Sequence, residues 1–260
     1  MAHSWDPDRY LTFADERGRP FLELLARVGA DAPHRVVDLG CGAGNLTVLL
    51  ARRWPRAQIL GVDSSSEMIA AAPVDQGVEF TVGDLATWAA GPSGPVDVLI
   101  SNAALQWVPD HLHLLPGLLE AVAPGGWLAF QVPGNFEEPS HTIRREIAAE
   151  APYAEHTAGV ATPDAHDAAR YLDVLSERGC EVDAWETTYL HVLEGNDPVF
   201  TWVSGTGARP TLQALPDELR EEFVTEYKQL LRDAYPERPA GTVLPFRRIF
   251  AVARRPGGER

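Results

Sequence analysis

Lysine is almost missing from this 260-residue chain: of its 22 basic residues only Lys228 is lysine, and they face 37 acidic ones. The formal net charge of −15 and the lack of any Lys/Arg run leave no basic stripe for a phosphate backbone, so nucleic acid is not an expected partner. Cysteine is scarce too. Cys41 and Cys180 stand far apart and form neither a paired metal motif nor a disulfide framework, which fits a reducing cytoplasm. No apolar run approaches the ~18 residues of a membrane span, and the first residues carry no apolar export segment, so a cytoplasmic protein off the membrane is expected. What is present in quantity is Gly (22) and Pro (21), with a 45% hydrophobic share that supplies one sizeable core. Arginine is the default base of this composition, so a single arginine says little about function.

Apolar runs and helical patterns alternate through the first half. Arg35–Leu39, Gln58–Val62, Val78–Val82, Val96–Ser101 and Trp127–Val132 read as strands. Between them, Phe21–Val28, Leu46–Arg53, Ser65–Ala72 and His111–Val122 read as helices, the last ending before Pro124-Gly125-Gly126. Such alternation predicts a parallel sheet with helices on both faces. After Gln131 prolines punctuate helical pieces, followed by helix Ala165–Arg178, strand Glu181–Val192, helices Pro198–Val203 and Pro216–Ala234 and a last apolar run, Arg248–Ala253. The expected organisation is a single domain. Residues 1–30 form an N-terminal arm and helix, 31–135 a ligand-binding core, 136–244 a helical cover with strand 181–192, and 245–260 the last strand and tail.

The most informative stretch is Val36-Val37-Asp38-Leu39-Gly40-Cys41-Gly42-Ala43-Gly44-Asn45, a buried strand running into closely spaced glycines and then a helix. Its spacing is G-x-G-x-G. A dinucleotide fingerprint needs a third glycine where this chain has Asn45, which disfavours an NAD-binding oxidoreductase. The acid at Asp38 argues against a pyrophosphate and for a ligand with a cationic group. Nineteen residues after Gly44, Asp63 ends the second strand, placed to accept from both hydroxyls of a ribose. Asp84 ends the third and offers an acceptor to an exocyclic amine, with Leu85 as an apolar neighbour. A strand-end Asp also commonly caps a helix or forms a turn, and for Asp84 that reading stays open.

Three strand-end acids and a glycine loop together outline a nucleoside with an amino-acid tail. The ensemble resembles the Class I S-adenosylmethionine-dependent methyltransferases. The resemblance implies a Rossmann-like α/β fold, a mostly parallel sheet with an antiparallel last strand, and a helical cover inserted in the C-terminal half. It further implies cofactor contacts at Asp38, Gly40, Gly42, Gly44, Asn45, Asp63, Ser64, Met68, Asp84, Leu85 and Asn102. Outside the core, Trp5-Asp-Pro-Asp-Arg-Tyr10-Leu, Glu16-Arg17-Gly-Arg19-Pro20, Gln106-Trp107-Val-Pro-Asp110-His111, Glu138-Pro-Ser-His141 and Thr206-Gly-Ala-Arg209-Pro210 are similar to the bacterial trans-aconitate 2-methyltransferases. Ala43 departs from the proline usual in that loop, and Phe246-Arg247-Arg248 leaves open which arginine faces the acid.

That resemblance implies a carboxyl O-methyltransferase forming the monomethyl ester of a small tricarboxylate. A carboxylic acid of pKa about 4 is already ionised near neutrality, so no general base and no metal is expected. Trp107 is the expected positioning residue. Trp5, Tyr10, Arg17, Arg19, Trp107, His141, Arg209 and Arg247 are the candidate substrate residues, because an arginine fork pairs bidentately with carboxylate. His111-x-His113 reads as a solvated helix start. Two alternatives remain: a methyltransferase for a larger hydrophobic acid or a phenol, with His141 or Tyr189 as base, and a subunit that binds the cofactor without chemistry.

Overall fold

Strands with apolar residues on both faces need cover on both faces, and β1 (Arg35–Leu39) is of this kind, with four of its five residues buried. A computed structural model describes residues 14–74, 76–90 and 94–258, the side chains of residues 14–17 and 90 excepted. Helix α1 (Ala14–Ala26) precedes β1; then follow α2 (Val48–Arg53), β2 (Gln58–Asp63), α3 (Ser66–Ala70), β3 (Glu79–Val82) and α4 (Leu85–Ala90). β4 (Val96–Asn102), two short 3-10 turns (Leu105–Trp107 and His111–Leu114), α5 (Leu115–Ala121) and β5 (Val122–Pro133) complete the alternation. The later chain adds α6 (Pro139–Ala148), α7 (Ala154–Thr157), α8 (Ala168–Ser176), β6 (Glu181–Leu193), α9 (Pro198–Ser204), α10 (Arg209–Ala214), α11 (Asp217–Ala234), β7 (Glu237–Arg238) and β8 (Gly241–Arg254).

The strands form one sheet in the order β3-β2-β1-β4-β5-β8-β6, with β7 paired to β8. Pairs β1·β2, β1·β4, β2·β3 and β4·β5 are parallel, while β5·β8 is antiparallel, Pro133 facing Arg248 and Trp127 facing Arg254. This is the expected mostly parallel sheet with an antiparallel last strand. β5 starts earlier than its apolar run: Val122 pairs with Val96 and Trp127 with Val98, so Pro124-Gly125-Gly126 is absorbed as a bulge, with Gly125 at φ 78°.

By compactness the chain divides into two units, Met1–Pro133 with Ala165–Thr187 and Arg248–Arg260, and Gly134–Asp164 with Thr188–Arg247. Of the stretch read as cover, residues 165–187 thus group with the sheet. The core of the first unit joins Val37, Leu39, Leu99, Leu128 and Phe130 of the strands to Leu115, Leu118 and Leu119 of α5 and Tyr171 and Leu175 of α8. His111 belongs to this buried layer, only 1% exposed, its Nε2 2.6 Å from the Tyr171 hydroxyl. That corrects the expectation of a solvated helix start: the ring is drawn in because a buried phenol needs a partner, and only His113 is exposed, beside Asp110.

In the second unit Phe223, Tyr227 and Leu231, four residues apart on α11, form the buried stripe that packs on α6. The Tyr227 hydroxyl donates to the Ser140 carbonyl, and the Ser140 N–H donates to the Tyr235 hydroxyl at 3.0 Å. Each such buried side chain contributes ~1.5–3 kcal/mol. Among the described residues no helix is long and apolar enough to cross a membrane.

The turn leaving β1 relies on glycine twice for different reasons. Gly40 (φ 75°) and Gly42 (φ 57°) are both left-handed, but a Cβ on Gly40 would lie 2.1 Å from that of Ala104, whereas one on Gly42 meets nothing within 4 Å. Gly42→Ala is expected to cost only the left-handed penalty, roughly 1–2 kcal/mol. Gly40→Ala should cost several times that or fail to fold. Urea unfolding of both variants checks this; equal losses would mean that backbone conformation, not the contact with Ala104, sets the cost.

Candidate active site

The C-terminal ends of β1, β2 and β4 bring the glycine loop and two of the expected acids to one edge of the sheet, where ligands of such sheets bind. Asp38 is 2% exposed. Thr47, in the turn entering α2, donates to its Oδ2 at 2.7 Å, while Oδ1 is buried with no hydrogen-bond partner among the described residues. Loss of water around the carboxylate pushes Asp38 up to about 7, against the Thr47 hydrogen bond and with a further push from Asp63. A buried carboxylate with an unused oxygen is destabilising until a cationic donor completes it. The same burial and the same two acids push the neighbouring Cys41 thiol up, so it stays protonated and inert.

The loop is held from the β2 side. Gly40 N and Cys41 N both donate to the Val62 carbonyl, at 2.8 and 3.0 Å, and Gly42 N donates to Asp63 Oδ2 at 2.8 Å. The other Asp63 oxygen accepts from Ser65 N at 2.9 Å. Each carboxylate oxygen keeps a further acceptor site, so Asp63 fixes the loop and can still receive two hydroxyls. A Cβ on Gly44 (φ 73°) would lie 2.4 Å from the Phe80 ring. The loop is therefore close-packed at Gly40 and Gly44 and open at Gly42. Asn45 is half-buried in the turn that follows.

At the end of β4, Asn102 pairs in register with Gln131, and Ala103 follows with φ 56°. A non-glycine residue is seldom left-handed, and such strain concentrates where a side chain or backbone must be aimed. Ala103 N donates to the Gln131 carbonyl at 2.9 Å, and Ser101 Oγ donates to the Leu39 carbonyl at 2.8 Å, tying β4 to β1. The 3-10 turn Leu105–Trp107 then leaves the Trp107 indole half-buried near this edge.

The remaining expected cofactor residues are placed differently. Asp84 Oδ1 accepts from Thr87 N at 2.8 Å and caps α4, the open structural reading of that acid. Leu85 packs half-buried against the sheet core. Ser64 is exposed; Met68 is buried, its N–H capped by Ser65 Oγ at 3.1 Å. Trp5, Tyr10 and the side chain of Arg17 lie outside the described residues. Arg19 is exposed, with Nε donating to Glu23 at 2.8 Å.

In the second unit, His141 on α6 is 6% exposed, its ring edge against Phe136 with centroids 5.2 Å apart. A Cβ on Gly207 would lie 2.7 Å from the ring. Burial, then the charges of Arg144 and Arg145, press its pKa down to about 3, so the imidazole is neutral throughout the physiological range. Arg209 is half-buried at the start of α10, and Arg247 donates to the Gly134 carbonyl at 3.3 Å. Arg248, in the first unit, is 5% exposed and donates to Gln131 Oε1 at 3.4 Å. Sequence reasoning missed Arg144, 3% exposed on α6. One signal was available: Glu138-Pro139 starts a helix at proline, on which Arg144 falls one turn after His141 and shares its face.

The methyltransferase-domain family matches residues 10–184. A trans-aconitate 2-methyltransferase of Streptomyces avermitilis is 51% identical, over 96% of this chain and 96% of its own. One of Mycobacterium tuberculosis is 48% identical, over 98% of each chain. Among solved structures, the 4+2 cyclase SpnF superposes with a TM-score of 0.57 at 17% identity, over 98% of this chain and 88% of that one, which speaks for the fold. With its sheet order, its glycine loop and this end-to-end similarity, the chain belongs to the trans-aconitate 2-methyltransferase family of methyltransferases.

Proposed function

We propose that this chain transfers a methyl group from S-adenosylmethionine to one carboxylate of trans-aconitate, forming the monomethyl ester. The observation that carries the reading is similarity of about half the residues to relatives of this one named activity, along nearly the whole chain. The strand-end geometry supports the cofactor. The unused Oδ1 of Asp38 suits the ammonium of a methionyl tail, the free acceptor sites of Asp63 suit a ribose, and the open face at Gly42 admits a ligand close to backbone. When bound, S-adenosylmethionine supplies a methyl on a positively charged sulfur, and its displacement by a carboxylate oxygen leaves a neutral thioether and an ester with no proton to move.

The chain's own work is then orientation, which is able to supply ~7–11 kcal/mol of the barrier. Trp107 is assigned to steer the reacting carboxylate through its indole N–H, and His141, Arg209 and Arg247 to hold the acid. Arg17 and Arg19, with Trp5 and Tyr10, keep the substrate role that the resemblance implies. The protein acts on a small molecule, without nucleic acid, in a reducing cytoplasm, in keeping with its net charge of −15 and its free Cys41 and Cys180. The phenol alternative loses support at His141, whose pKa of about 3 makes it a poor base at neutral pH.

Incubation with labelled S-adenosylmethionine and a panel of di- and tricarboxylic acids, followed by mass analysis, is expected to give a single monomethyl ester, fastest from trans-aconitate. Binding of the donor with no ester from any acid would leave a non-catalytic subunit. Arg209→Leu and Arg247→Leu should raise KM for the tricarboxylate far more than for a monocarboxylate; equal effects would make both side chains structural.

The pH behaviour should split. Asp38 is protonated below about 7 in the free protein and must ionise to hold an ammonium, so kcat/KM for the donor should fall below pH 7. At donor saturation Asp38 is ionised and His141 has no titration in range, so kcat should stay flat from about pH 6.5 to 8.5 in the wild type and in His141→Gln. A rising limb of kcat near pH 7 that disappears in His141→Gln would restore a base-dependent mechanism.

A further inference from the structure

The second unit contains an open cavity of about 250 Å³ bounded by α6, α7, the segment after α7 and α10. Its lining includes Arg144, Arg145, Thr157, Thr162 and Thr211, separated by alanines and one valine, and no aspartate or glutamate. Arg144 is the unusual member. Its side chain is buried, its Nη1 donates to Thr211 Oγ1 at 2.7 Å, and its Nε has no hydrogen-bond partner. No carboxylate among the described residues pairs with it, whereas other bases of the second unit have acidic partners: Arg145 reaches the Phe136 carbonyl and Glu137, Arg220 reaches Asp217 and two carbonyls, Arg232 and Lys228 reach Asp197. A guanidinium cannot shed its proton to escape burial as an imidazolium does, nor take one up as a carboxylate does. It must find an anion.

We propose that this cavity is a binding site for a small oxyanion, a carboxylate or a phosphate, held by the Arg144 guanidinium and the Thr211 hydroxyl. Thr211 Oγ1 accepts from Arg144 and retains its own proton to donate, so the two side chains present converging donors. Arg145 adds positive charge at the wall. Neutral His141, one turn back on α6, neither adds charge nor competes as a cation. The open space of about 250 Å³ has room for a small acid or phosphate. The site is independent of the acid proposed above for methylation, since it follows from Arg144 and the cavity alone.

The test uses the full chain without methyl donor, titrated by calorimetry with tricarballylate in one arm and inorganic phosphate in the other. The anion held in this cavity is the one that the cavity variants weaken, since tricarballylate also has the proposed acid site open to it, and the anion held more tightly in the cavity identifies carboxylate or phosphate as the class recognised. Ala148→Glu places a carboxylate one turn beyond Arg144 on the same helix and at the cavity wall. It should raise Tm by supplying the missing counter-ion, and weaken the bound anion at least tenfold while donor binding is unaltered. Thr211→Val, which keeps shape and removes the hydroxyl, should weaken the anion several-fold, and Arg144→Met at least tenfold where it folds. The proposal is overturned if neither anion binds, or if anion affinity is the same in Ala148→Glu or Thr211→Val as in the wild type.

Discussion

A carboxylate taken out of water and only half satisfied is the constraint around which the first unit is arranged. Asp38 ends a strand buried on both faces, so it has no route to solvent, and Thr47 uses only one of its oxygens. Burial holds it near 7 instead of 3.8. Between those values the native protein keeps a proton that the unfolded chain has lost, so without ligand its stability falls as pH rises through that window. A cationic ligand reverses this, because it favours the ionised form. With Asp38 as the proposed seat of the methionyl ammonium, cofactor binding and fold stability would be coupled through one side chain, and the coupling would grow with pH up to about 7.

The surrounding contacts keep that carboxylate in place and leave room beside it. Val62 and Asp63 of β2 hold the loop by its amides, Ala104 and Phe80 fill the spaces where Gly40 and Gly44 lack a Cβ, and the strained turn at Ala103 brings Trp107 off the end of β4. Ala104 and Phe80 act on the loop alone, whereas Asp63 both fixes the loop and keeps acceptor sites for the proposed ribose. The second unit carries its own unsatisfied group, Arg144, of opposite sign. Asp38 and Arg144, one acid and one base, each keep a buried atom without a hydrogen-bond partner among the described residues, and they point to ligands of opposite charge.

Much of the parallel sheet was legible because buried strands are written as apolar runs: β1 falls on the expected residues, and β2 and β4 differ by one at their ends, while β6, whose exposure alternates, starts where expected. The start of β5 was not, since Pro124-Gly125-Gly126 signals a turn and only the pairing of Val122 with Val96 makes it a bulge. From the sequence Asp84 reads both as a ligand and as a cap, and its Oδ1 takes the capping role at the start of α4. Asp38 and Asp63 were legible from strand-end position together with the glycine spacing. Arg144 was not, because burial is a property of packing between α6 and α10, and in a chain whose bases are nearly all arginine its residue type carries no signal. His111 was misread for the same reason: its partner Tyr171 is 60 residues away.

In the free protein Asp38 is an incompletely bonded acid that keeps its proton up to about pH 7, and in the bound one it is proposed as the ionised partner of a cation. Carbon-13 carboxyl NMR of the aspartates, with Asp38 assigned through Asp38→Asn, follows this directly. The free protein should show an Asp38 midpoint near pH 7, and saturation with S-adenosylmethionine should keep the group ionised well below pH 6. An ordinary midpoint near 4 in the free protein, unmoved by the cofactor, would contradict the assignment of this carboxylate as the seat of the methionyl ammonium.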